Sequence, residues 1–246
     1  MFSFSNDKRI IYILVVIMVI RKLTYYANTE GAIINLLLTI PGLLIAITFH
    51  EFAHAFAADK LGDDTPRREG RLSLNPLAHL DPVGSVLLLF AGFGWGKPVN
   101  VNPRNYTRKM TMEKADAIVS FAGPLTNLII AFIFSCIYCA IAKFADASFI
   151  FSSTGSIIML LISITVSINI GLGIFNLIPL PPLDGSKVIM PFLPYKAKEF
   201  FANNEQIFYI IFVIIWMTGI TGYIISPAIN AVSTGIFSLT KIIFGL

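Results

Sequence analysis

Long stretches without any charged side chain constrain this chain more strongly than any other feature of its sequence. Residues 117–142, 147–183 and 206–240 contain no Asp, Glu, Lys or Arg. A helix needs about 20 predominantly apolar residues to cross the hydrocarbon core of a bilayer. Hydrophobic residues make up 56% of the chain and charged residues only 13%, whereas soluble domains carry about a quarter charged residues. We therefore expect an all-α polytopic membrane protein.

The apolar segments and the residues that interrupt them predict about five to six transmembrane helices. Residues 10–20 form a short apolar segment, which could span the bilayer or lie at its surface. Gly219, Gly222 and Pro227 divide the last apolar stretch into two spans. The segment "VGSVLLLFAGFGWG" is too short to cross, so a re-entrant or β-hairpin element is expected near residues 83–103. The other predicted spans are 32–58, 117–142, the first part of 147–183, 207–222 and 227–243.

The positions of the basic residues predict the orientation of the chain. Loops 59–82, 97–116 and 184–206 hold four, five and three Lys or Arg residues, whereas the loop at Lys143 holds one. The positive-inside rule places the basic loops in the cytoplasm. It leaves the N-terminus undecided. A bacterial-type cell membrane is a separate expectation. The basic residues form no dense face with interleaved aromatic residues, so nucleic acid is not an expected partner.

Two histidines and a glutamate lie inside a predicted span, in the sequence "TFHEFAHAF". His50 and His54 share a helix face because they are four residues apart, so both imidazoles could hold one metal ion. Zinc accepts two such nitrogens with a carboxylate and leaves its fourth position to water. Glu51 would take a proton from the zinc-bound water as general base. Ionisable groups within a membrane are functional candidates by default, so a chance match is the weaker interpretation.

The third ligand must come from elsewhere, and the sequence offers several candidates. Asp146 falls in a loop predicted on the opposite side, and Asp116 at a helix N-terminus matches the helix dipole. Asp184 follows "FNLIPLPPL", in which the prolines prevent a regular helix, although it could instead cap the next helix. His79 and Asp81 lie on the same side as the two histidines. Spacing alone favours Asp184 and His79 equally.

Four segments resemble, in the same order, the site-2 protease family of intramembrane zinc metalloproteases: "TFHEFAHAFAADKLGDDTPRREGRLSLNPLAHLDPVGS", "GFGWGKPVNVNPRNY", "FAGPLTN" and "FNLIPLPPLDG". The resemblance covers about residues 34–190 and implies one zinc ion per chain. It implies a catalytic core over 32–190, after a hydrophobic segment over 1–31 and before C-terminal helices over 191–246, in a minimal form without a PDZ or CBS domain. The implied site has His50, His54 and Asp184 as zinc ligands, Glu51 as general base, and Asn127 and Asn176 as support for the substrate or the oxyanion.

The leading hypothesis is an intramembrane zinc endopeptidase that cuts within or near the transmembrane segments of other proteins, such as membrane-bound regulators or signal-peptide remnants. The segment "GFGWGKPVNV" could pair with an extended substrate through an open strand edge. It could equally be a loop whose Phe93 and Trp95 anchor it at the membrane interface. The alternative is a non-catalytic metal-binding membrane protein, with His79 as an extra ligand. A metal transporter is disfavoured, because ionisable groups do not follow a path through several spans.

Overall fold

The computed structural model describes residues 8–82, 84–85, 96–107, 109–217 and 220–246. In these ranges the chain consists of α-helices joined by loops and single 3-10 turns. We number the helices in chain order. They are α1 (Lys8–Asn28), α2 (Ala32–Lys60), α3 (Thr65–Arg68), α4 (Met112–Phe144), α5 (Ala147–Ile150), α6 (Ser153–Asn176), α7 (Asp184–Ile189), α8 (Tyr195–Asn203), α9 (Glu205–Met217) and α10 (Ile220–Phe244).

Four of the described helices are long and apolar enough to cross a membrane. They are α2, α4, α6 and the Ile225–Phe244 part of α10. This result supports the integral membrane protein that the uncharged stretches predicted. Helix α9 has 13 residues, fewer than the roughly 20 that a crossing helix needs. The described residues add no fifth helix of this kind, so the count of five to six stays a prediction.

Three of the long helices contain a proline away from their ends, namely Pro41 in α2, Pro124 in α4 and Pro227 in α10. The sequence predicted two spans separated by Gly219, Gly222 and Pro227. Helix α9 ends at Met217 and α10 begins at Ile220, but α10 continues through Gly222 and Pro227, so these two residues do not separate the helices. A proline removes one backbone hydrogen bond from a helix. Neighbouring helices and local adjustments make this loss tolerable in an apolar bundle, so a single proline does not define a break.

Helices α2, α4 and α6 pack against one another at the centre of the molecule. Glycines allow their backbones to approach closely, as is common between membrane helices. A Cβ atom at Gly42 of α2 would lie 3.0 Å from Thr165 of α6. A Cβ atom at Gly173 of α6 would lie 3.1 Å from the carbonyl oxygen of Pro124 in α4. These close contacts bring side chains from all three helices within hydrogen-bonding distance of one another.

The last helix, α10, packs against α4 and α6. The contact surrounds a buried cluster formed by Ala131, Val166 and Ile170. One polar contact lies within this apolar interface, where the hydroxyl oxygens of Ser135 and Thr240 are 2.9 Å apart and buried. A hydrogen bond between membrane helices contributes roughly 0.6–2 kcal/mol, and this one fixes the position of α10 along α4.

A polar segment that follows α2 is tied to residues 96–107 by one buried carboxylate. Asp63 is completely buried, and its oxygens accept hydrogen bonds from Thr65, Asn102 and Asn105. Burial opposes the charge on Asp63, but these hydrogen bonds outweigh it and hold the pKa of the carboxyl below its ordinary value. Asp63 therefore connects the end of a membrane helix to the loop that precedes α4.

The predicted re-entrant or hairpin element over 83–103 lies largely outside the described residues, which omit 83 and 86–95. The described part shows one isolated antiparallel bridge between Leu80 and Gly96. The amide of Lys97 also donates to the carbonyl oxygen of His79, at 2.8 Å. These contacts place residues 96–97 beside residues 79–80, and the hairpin itself stays a prediction.

We expect Asp63→Asn to lower the midpoint of thermal unfolding in detergent, by the equivalent of about 1–3 kcal/mol. The reason is that the amide NH₂ of the new side chain would face N–H and O–H groups whose hydrogen bonds the carboxylate now accepts. The stability difference between parent and variant should be complete above about pH 4, the ordinary pKa of an unfolded Asp, and should disappear as the pH falls through the lower pKa of the folded state.

Asp64→Asn is the matched control for this measurement. Asp64 is exposed and pairs with Arg68 at 3.0 Å, and exposed ion pairs contribute little to stability. Equal unfolding midpoints for the two variants would contradict the structural role of Asp63.

Candidate metal centre

The last third of α2 carries the three residues of the histidine motif. His50 and His54 are buried, with 6% and 9% of their surfaces exposed. Their side chains lie on one face of the helix, as the four-residue spacing predicted. The Nε2 atoms of the two rings are 3.0 Å apart. Both imidazoles therefore present the same ring nitrogen to one point.

One face of α4 holds both rings in this orientation. His54 Nδ1 donates to the carbonyl oxygen of Val119, at 2.7 Å. His50 Nδ1 lies 2.7 Å from Oδ1 of Asn127. Val119, Gly123 and Asn127 follow one another at intervals of four residues, so Gly123 lies between the other two on the same helix face. Metal-bound histidines usually donate their second ring N–H to such an acceptor, so this environment is typical of metal ligands.

Asp184, the first residue of the short helix α7, reaches the same point. Its Oδ2 atom lies 3.2 Å from Nε2 of His50 and 3.3 Å from Nε2 of His54. The turn into α7 depends on Gly185, because a Cβ atom there would lie 2.3 Å from the carbonyl oxygen of Leu177. The residue preceding α7 is Leu183, so Asp184 does not occupy the capping position that the sequence left open.

The arrangement of the three atoms fits a tetrahedral zinc ion. Two ligand atoms that are each about 2.0–2.2 Å from a tetrahedral ion lie roughly 3.3–3.6 Å apart. The observed separations of 3.0, 3.2 and 3.3 Å are close to that edge length. Oδ2 of Asp184 is buried and has no hydrogen-bond partner among the described residues. An unsatisfied carboxylate oxygen beside two ring nitrogens indicates a place for a cation.

Glu51 lies outside this triad and contacts residues 96–99. Its Oε2 atom accepts a hydrogen bond from the amide of Val99, at 3.1 Å, and lies 3.9 Å from the guanidinium of Arg71. Arg71 is itself buried and donates to the carbonyl oxygens of Ala78 and Lys97. Glu51 is therefore held by the polar segments outside the helix bundle rather than by the helices that hold the histidines.

The other candidates for a third ligand lie elsewhere in the described structure. His79 is completely buried, and its Nε2 donates to the carbonyl oxygen of Ser73, at 2.6 Å. Burial lowers the pKa of this imidazole, which favours its neutral form. Asp81 accepts from the amide of Gly84. Asp116 accepts from the hydroxyl of Tyr106, and Asp146 precedes the short helix α5.

The two asparagines that the resemblance named have different surroundings. Asn127 is completely buried, and its amide nitrogen donates to Ala46 and Asn169. Asn176 ends α6 and is half-buried, and its amide nitrogen donates to the carbonyl oxygen of Leu172. The contacts of Asn127 are therefore all within the protein, whereas one N–H of Asn176 has no acceptor among the described residues. A substrate role for either asparagine stays a prediction.

Comparison with known proteins places the chain in a family. A family model described as "Peptidase family M50" matches residues 38–219. The chain belongs to this family. The M50 match covers the histidine motif, both asparagines and Asp184, and it agrees with the resemblance to site-2 proteases that the sequence motifs indicated.

Two M50 relatives are similar over most of the chain. "Putative zinc metalloprotease YwhC" of Bacillus subtilis (strain 168) is 39% identical over 202 residues, which are 82% of this chain and 90% of that protein. "Putative zinc metalloprotease Rip2" of Mycolicibacterium smegmatis (strain ATCC 700084 / mc(2)155) is 31% identical over 197 residues, which are 79% of this chain and 69% of that protein. No solved structure matches the chain. These names support a metalloprotease that uses zinc.

Several residues around the site carried no distinct signal in the sequence. Val119 contributes a backbone carbonyl, which any residue could supply. Arg71 is one of several basic residues in a loop where the positive-inside rule alone explains them. Gly123 was visible within "FAGPLTN", and its spacing of four from Asn127 was the available signal. It could be interpreted only once the histidine rings were known to lie against α4.

We expect Gly123→Ala to weaken zinc binding by roughly 10-fold or more. A Cβ atom at Gly123 would lie 2.5 Å from Nε2 of His54 and 2.7 Å from Cε1 of His50, so the rings would have to move. Alanine forms helices better than glycine, so the effect would not come from the helix itself. Zinc affinity of the purified protein, measured by competition with a chelator, tests this.

The matched control is Gly171→Ala in α6, where a Cβ atom would meet nothing within 4 Å. That variant should bind zinc as the parent does. Parental zinc affinity in Gly123→Ala would show that the two rings do not depend on the close approach of α4.

Proposed function

We propose that this M50 protein is an intramembrane zinc endopeptidase that hydrolyses peptide bonds within or near transmembrane segments of other membrane proteins. One observation carries the proposal. The Nε2 atoms of His50 and His54 and the Oδ2 atom of Asp184 lie within 3.3 Å of one another. They do so between helices that are long and apolar enough to cross a membrane.

The three residues would hold one zinc ion per chain and leave one coordination position open, as catalytic zinc sites do. Zinc supplies a Lewis acid that makes a water molecule acidic enough to ionise near neutral pH and polarises a substrate carbonyl. Both Nδ1 hydrogens are engaged by α4, which leaves both Nε2 lone pairs directed towards the ion. No fourth protein ligand lies with this group among the described residues. This distinguishes the proposal from a closed structural site that includes His79.

Glu51 is the general base in this proposal. It adjoins His50 in sequence without belonging to the ligand group, so its carboxylate can accept a proton from the attacking water. The amide of Val99 and the guanidinium of Arg71 hold its Oε2 atom. The contacts leave Oε1 without a hydrogen-bond partner among the described residues, and this oxygen is the one we assign to the proton transfer.

The depth of the site supports a membrane-embedded substrate. His50 and His54 are ten and six residues before the end of α2 at Lys60. At 1.5 Å per residue they lie about 15 and 9 Å from that end. The adjoining polar segments carry the basic residues that predict the cytoplasmic side. We infer a site inside the span but near enough to the cytoplasm for water to reach it.

A transmembrane substrate must unwind before its peptide bonds become accessible, because helical hydrogen bonds engage them. The hydrolysis then places negative charge on the carbonyl oxygen, and a preorganised amide donor stabilises such a charge. Asn176 is the candidate for this role, because one of its N–H groups has no acceptor among the described residues. The lipid bilayer and a single-span membrane protein are the partners that this mechanism requires.

We expect Glu51→Gln to retain zinc and to lose cleavage by roughly 10²–10⁴-fold. The amide keeps the shape of the side chain but cannot take up a proton, so metal binding and proton transfer separate. The assay incubates purified protein in detergent or liposomes with a panel of single-span membrane proteins, with and without a zinc chelator. Mass spectrometry of the fragments gives the cut site, and the same preparations are analysed for zinc.

The matched control is Glu69→Gln, which makes the same exchange at an exposed residue whose carboxylate contacts Asn100. It should cut as the parent does. A parent that binds zinc but cuts none of the panel would favour a non-catalytic metal-binding protein. Cuts confined to water-exposed loops of the substrates would contradict the intramembrane part of the proposal.

A further inference from the structure

A chain of buried amides connects the candidate metal ligand His50 to the interior of the helix bundle. Asn127 of α4 and Asn169 of α6 are both completely buried. Nδ2 of Asn127 lies 3.1 Å from Oδ1 of Asn169, and Oδ1 of Asn127 lies 2.7 Å from Nδ1 of His50. Side chains from three membrane-spanning helices thus form one continuous hydrogen-bonded row.

The direction of every hydrogen bond in this row follows from its far end. The carbonyl oxygen of Thr165 can only accept, and it lies 2.9 Å from the amide nitrogen of Asn169. The amide oxygen of Asn169 must therefore face Asn127. The carbonyl oxygen of Ala46 adds a second acceptor, 3.0 Å from the amide nitrogen of Asn127. Both hydrogens of the Asn127 amide are thus used, and only its oxygen is left for His50.

This order determines which nitrogen of His50 carries the hydrogen. An amide oxygen can only accept, so Nδ1 of His50 must be the donor, and Nε2 of the neutral ring keeps its lone pair. With the hydrogen on Nε2 instead, two lone pairs would face each other at 2.7 Å in a buried place. Rotating the Asn127 amide would not relieve this, because its oxygen would then face the carbonyl oxygen of Ala46.

We propose that Asn127 is a positioning residue that fixes the tautomer and orientation of His50 for zinc, and that Asn169 holds Asn127 in the orientation this requires. The inference rests on the proposed function, since it concerns the same metal site. It assigns Asn127 a task different from the substrate or oxyanion support that the resemblance implied. A substrate could reach the Asn127 amide hydrogens only if the contacts to Ala46 and Asn169 were broken.

The two histidines differ in how their orientation is secured. His54 donates to the backbone oxygen of Val119, an acceptor that no substitution removes. His50 donates to a side chain, and that side chain depends on another. Asn127→Leu, a near-isosteric exchange, removes the acceptor of His50 while leaving the acceptor of His54 in place, so it tests one ligand of the metal site selectively.

The experiment compares Asn127→Leu, Asn169→Leu and the double variant with the parent, as full-length protein in detergent. Zinc affinity is measured by competition with a chelator, and the visible absorption of the Co²⁺-loaded protein reports the geometry at the metal. We expect Asn127→Leu to weaken zinc binding by roughly 10–100-fold and to change the Co²⁺ spectrum. Asn169→Leu should weaken it less. The double variant should bind zinc no more weakly than Asn127→Leu, because Asn169 acts through Asn127.

Ser135→Ala is the matched control. Ser135 is also completely buried in α4 and also bonds across helices, to Thr240 of α10, but it does not contact a candidate ligand. It should keep the zinc affinity and Co²⁺ spectrum of the parent. An equal loss of zinc affinity in Ser135→Ala and Asn127→Leu would overturn the proposal in favour of a general packing effect. If Asn127→Leu does not fold, an unchanged zinc affinity in Asn169→Leu overturns it.

The outcomes separate this proposal from the proposed function. An Asn127→Leu variant with parental zinc affinity and spectrum but without cleavage would overturn the positioning role and support contact with substrate. A parent that binds zinc without cutting any substrate would count against the peptidase alone, and the measured affinities would still decide the role of Asn127. A parent that binds no zinc would overturn both.

Discussion

The site depends on the contact between one face of α4 and the two imidazoles of α2. Two hydrogen-bond acceptors on that face engage the outer ring nitrogens, and Gly123 between them provides the space for the rings. As a result the Nε2 atoms of both histidines are directed to a single point. Asp184 adds to that point a buried carboxylate oxygen that has no hydrogen-bond partner within the described structure. A cation bound there would contact this oxygen and both Nε2 atoms, so a metal site explains the arrangement.

Two kinds of buried polar group meet in this bundle. Ser135 with Thr240, and Asn169 with Thr165, are donors and acceptors that satisfy one another, as membrane helices require where no water is present. The three candidate ligand atoms are different, because each presents a lone pair to the others. Asn127 links the two kinds, because it donates to Asn169 and accepts from the candidate ligand His50. A single side chain therefore connects the structural hydrogen bonds to the candidate metal site.

Helix periodicity explains what could be predicted from the sequence. His50 and His54 had to share a face if α2 was helical, and the uncharged stretches required membrane helices. The fold was predictable to that extent, but Pro227 shows the limit, because a helix in contact with neighbours continues through one proline. The third ligand lies 130 residues after His54 and depends on how α7 begins after α6, which spacing cannot determine. Only the family resemblance separated Asp184 from His79. Nothing in the sequence connected Asn169 with His50, since their connection through Asn127 exists only in three dimensions.

The order of residues in the histidine motif also places the candidate metal ligands and the candidate base in different surroundings. Consecutive residues of an α-helix point about 100° apart. His50 and His54 face α4 inside the bundle, and Glu51 consequently faces the polar residues 96–99 and Arg71. The candidate ligands are thus held by apolar helices, while the candidate base is held by segments next to the predicted cytoplasmic surface. Both sets of contacts can form because α2 lies at the boundary between the two environments. A shift by a full turn towards the middle of α2 would preserve the shared face of the histidines but would move Glu51 away from Val99 and Arg71, leaving its charge without partners in the apolar interior.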